Sequence, residues 1–462
     1  MAVIVREKQF YKTFFTLTLT IALQNLVVYG VNLADNIMLG AYSETAMSGV
    51  ALVNQIQFFL QMLVVGSTEG ITILASRSWG RREIKPIHGI SQIGMVIALF
   101  LSALLWLVCL LFPTGILTLF TNELAVIEEG ARYLRIVSFS YLFYAVSAVM
   151  ISTLRSVETV NIGFIVSLFS LVVNIGLNYV LIFGKLGFPV LGVEGAAIAT
   201  LLSRVVEVVV CVIYMKRFDK KLRMPMRAYF EKIDFSVMRS FLKVSWPVMM
   251  SGSIWGLAMS IQSAILGHMG QQAIAANSVA STVFSMITVV AYGSANATSV
   301  LIGKTIGEGR IDAVKLYAKT IQLLFLGIGI CTGALMYICT DWILVLYKLA
   351  PDTLALARTF LIILSITCVG SAYQMPCLCG IVRGGGQTDF VLYNDLIFQW
   401  LIVLPSALLA AFVFDLSPVI VFICLKSDQV LKCFVAVVKI NRFDWIKNLT
   451  KDAPADGQQP AA

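Results

Sequence analysis

From Val244 to Gly303 the chain runs for 60 residues without a lysine, arginine, aspartate or glutamate. A membrane-spanning helix needs about 20 mostly apolar residues. The stretch is too long for one crossing and predicts two, with Gly267-His268-Met269-Gly270-Gln271-Gln272 as the turn between them. The rest of the chain has the same character. Of its 462 residues 59% are hydrophobic and 13% charged, with a mean hydropathy of +0.88. Soluble domains carry about 45–50% apolar and about 25% charged residues. These values exclude a disordered chain, a disulfide-stapled secreted scaffold and a soluble enzyme.

Eight more charge-free windows each predict one span: Thr13–Ala34, Gly49–Thr68, Pro86–Asn122, Ile136–Leu154, Thr159–Gly184, Thr320–Thr340, Thr359–Val382 and Leu396–Phe414. Two interrupted windows complete the set. Glu194–Met215 contains Arg204 and Glu207, and Leu416–Ile440 contains Lys426, Asp428 and Lys432. The expected fold is an all-α polytopic membrane protein of twelve transmembrane helices in two pseudo-symmetric six-helix lobes. The first span reads as a signal-anchor, being too long for a signal peptide and lacking a small-residue cleavage site. With the N-terminus placed inside, 26 of the 34 lysines and arginines fall on inner segments and 5 on outer ones. That bias predicts a cell-membrane protein with both termini cytoplasmic. The net charge of +9 is thus an orientation signal and not a nucleic-acid footprint. The expected division is a first lobe at 1–215, a basic cytoplasmic linker at 216–243, a second lobe at 244–450 and a disordered tail at 451–462.

Sliding the sequence by 227 residues lays Leu39-Gly40 on Leu266-Gly267, Ala46 on Ala273, Gly66-Ser67 on Gly293-Ser294 and Gly80 on Gly307 without a gap. The matches fall at turn and packing residues. Six spans per half is an even number, so both halves start from the same side and the repeats are parallel. Transporters built this way hold substrate between the halves and rock one against the other. The nine cysteines lie mostly in apolar runs, and neither they nor the two histidines form a metal-ligand pattern. No phosphate-binding loop or nucleophile elbow is present. Neither an enzyme activity nor a metal or cofactor is expected.

Asn32-Leu33-Ala34-Asp35 followed by Met38-Leu39-Gly40 looks like the end of the first helix in the multidrug and toxic compound extrusion (MATE) family of transporters, in particular its DinF-like bacterial and archaeal branch. Gly80 and Gly307 beside basic residues look like its loops after helices two and eight. Arg383-Gly384-Gly385-Gly386-Gln387-Thr388 resembles its loop after helix ten, and Gly192-Val193-Glu194-Gly195-Ala196-Ala197-Ile198-Ala199-Thr200 the start of its helix six. The resemblance runs from about residue 10 to 445. It implies export of organic cations and other amphipathic compounds in exchange for H⁺ or Na⁺, by a monomer whose only partners are lipid and small-molecule substrate.

Ionisable groups at membrane depth are costly and mark function by default. Asp35 is the leading candidate, because a carboxylate in apolar surroundings can alternately hold and release a cation. Asn174 and Asn178 lie four apart on one helix face. They either complete that cation site or hydrogen-bond helices together. The resemblance implies that both, with Asp35 and Thr200, line a coupling pocket in the first half. The branch often carries aspartate at the position of Asn178, so this pocket has one carboxylate fewer, which favours H⁺ over Na⁺. Arg204 and Glu207 at i, i+3, and Asp428 and Lys432 at i, i+4, are spaced to pair. Glu69 is expected to meet Arg77 or Arg81 near the membrane surface, or else to line an inner vestibule. Acids of the second half contribute nothing in this reading, since Gln262 stands opposite Asp35 in the repeat. Soft and aromatic groups suit a tolerant cavity. Its expected lining is Gln55, Phe58, Phe59, Met62, Gln262, Phe284 and Met286. Pro247 is the expected hinge of span seven, and Thr20 replaces the proline that the family usually has in span one. The competing reading is a flippase or exporter of lipid-linked saccharide, which needs arginines in the central cavity for pyrophosphate. Arg204 alone qualifies from the sequence.

Overall fold

The computed structural model of the chain describes residues 4–230, 234–345 and 350–447. The expected disordered tail at 451–462 lies outside them. Among the described residues ten helices are long and apolar enough to cross a membrane, the bent α4 makes eleven, and the broken α12 completes the twelve expected: α1 (Lys8–Tyr42), α2 (Glu44–Gly80), α3 (Ile84–Leu111), α4 (Leu124–Val137 and Ser140–Ser156), α5 (Asn161–Phe183), α6 (Gly192–Arg217), α7 (Phe235–His268), α8 (Gln271–Gly307), α9 (Ile311–Val345), α10 (Pro351–Val382), α11 (Thr388–Val413) and α12 (Pro418–Lys426 and Asp428–Arg442). The 60-residue charge-free stretch forms most of α7 and α8, and the turn falls between His268 and Gln271. Asp234 caps α7 by accepting from the Ser236 backbone and hydroxyl, both at 2.8 Å. These bonds favour the charged carboxylate and hold it below the ordinary aspartate range.

Two spans depart from simple rods. α4 is bent by 51° between its segments. Its first segment, which hydropathy does not pick out, is amphipathic. Val126, Ile127, Gly130, Ala131, Leu134 and Val137 are buried at helical spacing. The charged Glu129 and Arg132 pair at 3.5 Å on its outer face. α12 breaks at Ser427, whose hydroxyl bonds back to the Cys424 carbonyl at 2.7 Å.

Three apolar cores result. The largest joins α2 to α6 with Phe241 and Val244 of α7. Another lies in the far half of the second lobe, where Phe360 and Phe422 stack at 4.0 Å. In the third, the first turns of α1 cross to the second lobe, so that Phe10 meets Tyr317 at 4.4 Å and Phe14 joins Phe325. The sequence places α1 wholly with the first lobe, whereas its basic end also packs on the second.

The lobes are closed at the end that carries Lys8 and Arg442, here called the basic face. α2 and α8 cross there with backbones in contact. A Cβ on Gly80 would overlap the Lys304 carbonyl, and one on Gly307 the Arg77 carbonyl. The repeat-equivalent glycines are therefore each other's symmetry mates at one crossing. Arg77 donates to the Lys447 carbonyl at 3.0 Å and the Gly384 carbonyl at 3.1 Å. Lys304 meets Glu158 at 2.9 Å. Gly307→Val should wedge this crossing apart. We expect alkylation of a cysteine placed at Ser76, buried in this closed form, to rise severalfold from the basic face in that variant. Unchanged labelling would show that the crossing is not what seals this end.

Candidate functional site

The candidate cation site sits between α1, α5 and α6. Asn174 and Asn178 share one face of α5 and are both 0% exposed, while Asp35 of α1 and Thr200 of α6 are each 8% exposed. The Asn178 amide Nδ2 donates to Asp35 Oδ1 and lies 3.1 Å from Asn174 Oδ1. Among the described residues, Asn174 Nδ2, Asn178 Oδ1 and Thr200 Oγ1 make no hydrogen bond of good geometry, with Asp35 and Tyr133 as the nearest polar neighbours of Asn174 and Thr200. An unmet buried polar group costs about 1–3 kcal/mol. Here several occur within one cluster. The four residues named from the sequence thus lie around one point, with hydrogen-bonding capacity to spare. A small cavity beside them is lined by Ser170, Asn174, Thr200, Ser203, Arg204 and Glu207.

Arg204 is already committed. It reaches Glu207 at 2.8 Å, as the i, i+3 spacing predicts, and stands 5.3 Å over the Tyr144 ring. Ser147 donates to the second Glu207 oxygen at 3.2 Å. Asp35 therefore has amide neighbours and no cation in direct contact among the described residues. Tyr133 belongs to the same cluster, buried beside Thr200 and within electrostatic reach of Asp35. Sequence reading missed it, because its helix Leu124–Val137 carries enough charge to look like a loop.

A second polar cluster lies where the lobes meet. Glu69 of α2 lies within electrostatic reach of Arg383 of α10 and Arg155 of α4, with no ion pair within 4 Å among the described residues. This corrects the expected pairing of Glu69 with Arg77 or Arg81, since Arg77 is used on backbone carbonyls. Arg155 also donates to Asn296 at 3.1 Å. Glu69 and Asn296 are equivalent under the 227-residue repeat, and Arg155 and Arg383 stand at corresponding places in the matching loops. The Arg155–Asn296 contact and the approach of Arg383 to Glu69 are thus related by the repeat, and each joins one lobe to the other.

From there the network runs into the second lobe. Arg383 donates to the Ser251 hydroxyl at 2.8 Å and lies 3.8 Å from Asp395. Ser251 donates to Asp395, and Lys432 reaches Asp395 at 3.0 Å and Asp428 at 3.4 Å. The Asp428–Lys432 pair is thus as the spacing predicts, with Asp395 as a closer partner. The sequence reading left the second half without a relevant acid and missed Asp395, because the charge-free window of span eleven opens one residue after it. The available signal was the Gly384-Gly385-Gly386 turn. A helix starting at Thr388 carries Asp395 two turns inside the span. π-helical segments flank the network at Pro376–Val382 and Ile397–Val403, a distortion that gathers at functional sites.

The proposed cavity residues are distributed as follows. Phe58 faces Trp255 of α7 at 6.2 Å, and Met62 lies beside Gly252. Gln55, Phe59 and Met286 are exposed. Gln262 is buried, and its Nε2 meets no hydrogen-bond partner among the described residues. Phe284 packs against the far-half core of the second lobe. Pro247 lies inside α7, and α1 has the half-buried Thr20 at the equivalent place. Among the described residues, no group of three histidine, cysteine or acidic side chains is placed to hold a metal ion.

Comparison with known proteins agrees with this architecture. A probable multidrug resistance protein NorM of Thermotoga maritima is 24% identical over 426 residues, covering 92% of this chain and 90% of its own. An uncharacterized transporter, YisQ, of Bacillus subtilis is 26% identical over 403 residues, covering 86% and 87%. A crystal structure of MATE in the bent conformation superposes with a TM-score of 0.85 at 19% identity, over 96% of each chain. The sequence model of the MatE family matches residues 20–180 and 247–409, one match in each lobe. The chain belongs to the MatE family and is a multi-pass membrane transporter, not an enzyme.

Proposed function

We propose that this transporter is a secondary antiporter that exports amphipathic, often cationic, small molecules in exchange for H⁺, from a cell membrane in which both termini are cytoplasmic. The observation that carries the reading is Asp35, a buried carboxylate among amides with no cation in contact among the described residues. Multidrug resistance proteins among the relatives support the substrate class. The six-helix lobes at 1–215 and 244–450 move against each other, with 216–243 as linker and Pro247 as a point of bending. In this reading the closed basic face leaves the lobes to part at the opposite end, the end of α1 near which Asp35 sits. A proton arriving from outside neutralises Asp35, removes the charge that favours a bound cation, and lets substrate leave. Asn174, Asn178 and Thr200 orient the carboxyl in both forms, with Asn178 Oδ1 free to accept from the protonated acid. Phe58, Met62 and Trp255 provide soft contact surface between α2 and α7.

A single carboxylate favours H⁺ over Na⁺, since the other oxygens around it, on Asn174, Asn178 and Thr200, are neutral amide and hydroxyl groups. The test is transport into inverted vesicles. A pH gradient alone should drive uptake of a fluorescent cation, and Na⁺ should add nothing. Uptake that needs Na⁺ and ignores pH would reverse the choice of ion. Export of a lipid-linked saccharide is less well supported. Among the described residues Arg204 is held by Glu207, Lys432 by Asp395 and Asp428, and Arg383 lies 3.8 Å from Asp395, so the cations best placed for a pyrophosphate already have carboxylate partners.

A further inference from the structure

Away from both clusters, a groove of about 580 Å³ opens on the membrane-facing side of the second lobe between α9, α10 and α12. Its origin is local. α9 and α10 touch through Gly329 and Gly333, where any Cβ would press on the Val369 and Ser365 carbonyls. Toward the basic face this small-residue contact ends and larger side chains hold the helices apart. Tyr373 bridges the gap by donating to Gln322 Oε1 at 2.9 Å. The floor is therefore polar but internally satisfied. The walls are apolar, with Leu323 50% and Leu326 42% exposed on α9 and Val437 43% exposed on α12.

The end of the groove nearest the basic face is positively charged. Lys319 lines it, and Lys315 stands one turn further out. Their ammonium groups lie 5.8 and 6.0 Å from the Phe443 ring. No carboxylate lines the groove. The nearby Asp444 is taken by Lys439 at 2.9 Å, and the exposed Asp312 lies 3.9 Å from Lys315. From Lys319 to Leu326 the wall runs about 10 Å along the helix axis, long enough to seat much of an acyl chain below a headgroup held at the lysines.

We infer that this groove is a site for an anionic phospholipid of the leaflet next to the basic face, its phosphate at Lys319 and Lys315 and one acyl chain along Leu323, Leu326 and Val437. Charge decides the occupant. An amphipathic cation on its way to the cleft would meet two lysines, and a zwitterionic lipid would gain less from them. Each lysine near a membrane surface strengthens binding of an acidic lipid by about fivefold. A lipid wedged there would brace α9 against α12, so the site would also affect stability. The inference does not depend on which ion drives transport.

The test uses purified full-length protein, native mass spectrometry and thermal unfolding, with phosphatidylglycerol and phosphatidylcholine of identical chains. Phosphatidylglycerol should be retained preferentially and should raise the unfolding temperature. Lys319→Gln should weaken that preference about fivefold, and Lys315→Gln with Lys319→Gln should abolish it, while Lys319→Arg keeps it. Leu326→Trp, which fills the groove without touching charge, should reduce retention of both lipids. Equal retention of the two lipids by the unaltered protein would overturn the inference. So would a preference that survives loss of both lysines, or stronger retention of an amphipathic cation than of phosphatidylglycerol.

Discussion

Asp35→Asn is expected to abolish ion-driven export, down to the background of membranes without the protein, while the protein still folds and inserts normally. The replacement is nearly isosteric. It leaves Asn174 and Thr200 in place and keeps an oxygen for the Asn178 amide to donate to. It removes only the ability to take up and release a positive charge. Because Arg204 is neutralised by Glu207, loss of the Asp35 charge strands no cation nearby, so little folding energy should be lost. Efflux in a drug-sensitive strain and the detergent-solubilised elution profile check the two halves of the claim. Normal efflux by a well-folded Asp35→Asn protein would reject the coupling role.

The second large effect concerns stability. Asp395 is the shared counter-ion of Arg383 and Lys432, and Lys432 retains only 5% side-chain exposure. Removing one partner of a buried ion pair leaves an uncompensated charge and costs about 3–5 kcal/mol. Asp395→Asn should fall at the low end of that range, since Asp395 keeps 18% exposure and Asp428 still faces Lys432 at 3.4 Å. Thermal unfolding in detergent should show a marked drop. Adding Lys432→Gln should recover part of it, because the more deeply buried of the two stranded cations is then gone, while Arg383 still lacks Asp395 and Asp428 loses Lys432. A single variant as stable as the parent, or a double variant as unstable as the single, would show that the network does not work as an ion-pair cluster.

These two sites differ in how far the sequence revealed them. Asp35, Asn174 and Asn178 were legible because each stands alone in an apolar run, and the i, i+4 spacing puts the asparagines on one face whatever the neighbouring helices do. The spans were legible for the same reason, since hydropathy reports on solvent and needs no tertiary information. Asp395 was hidden by the way a span is counted. A charge-free window must exclude the acid that the true helix includes. Glu69 was visible, but its partners were not. Proximity in sequence suggested Arg77 or Arg81, whereas tertiary packing brings Arg383 of the other lobe and Arg155 of the same lobe within electrostatic reach. Tyr133 was lost with the amphipathic first segment of α4, whose charges face outward. The Gly80–Gly307 pair had appeared as a repeat match, but that the two glycines meet at one crossing follows only from how the lobes dock.

The claim on which the account rests is that a proton and the substrate compete through Asp35. Purified protein in weakly buffered solution, given a cationic substrate, should release a proton on binding, with affinity rising as pH rises, and Asp35→Asn should release none. If substrate binds the unaltered protein with no proton release and no pH dependence, or if Asp35→Asn releases protons as the parent does, the exchange scheme built on this carboxylate is contradicted.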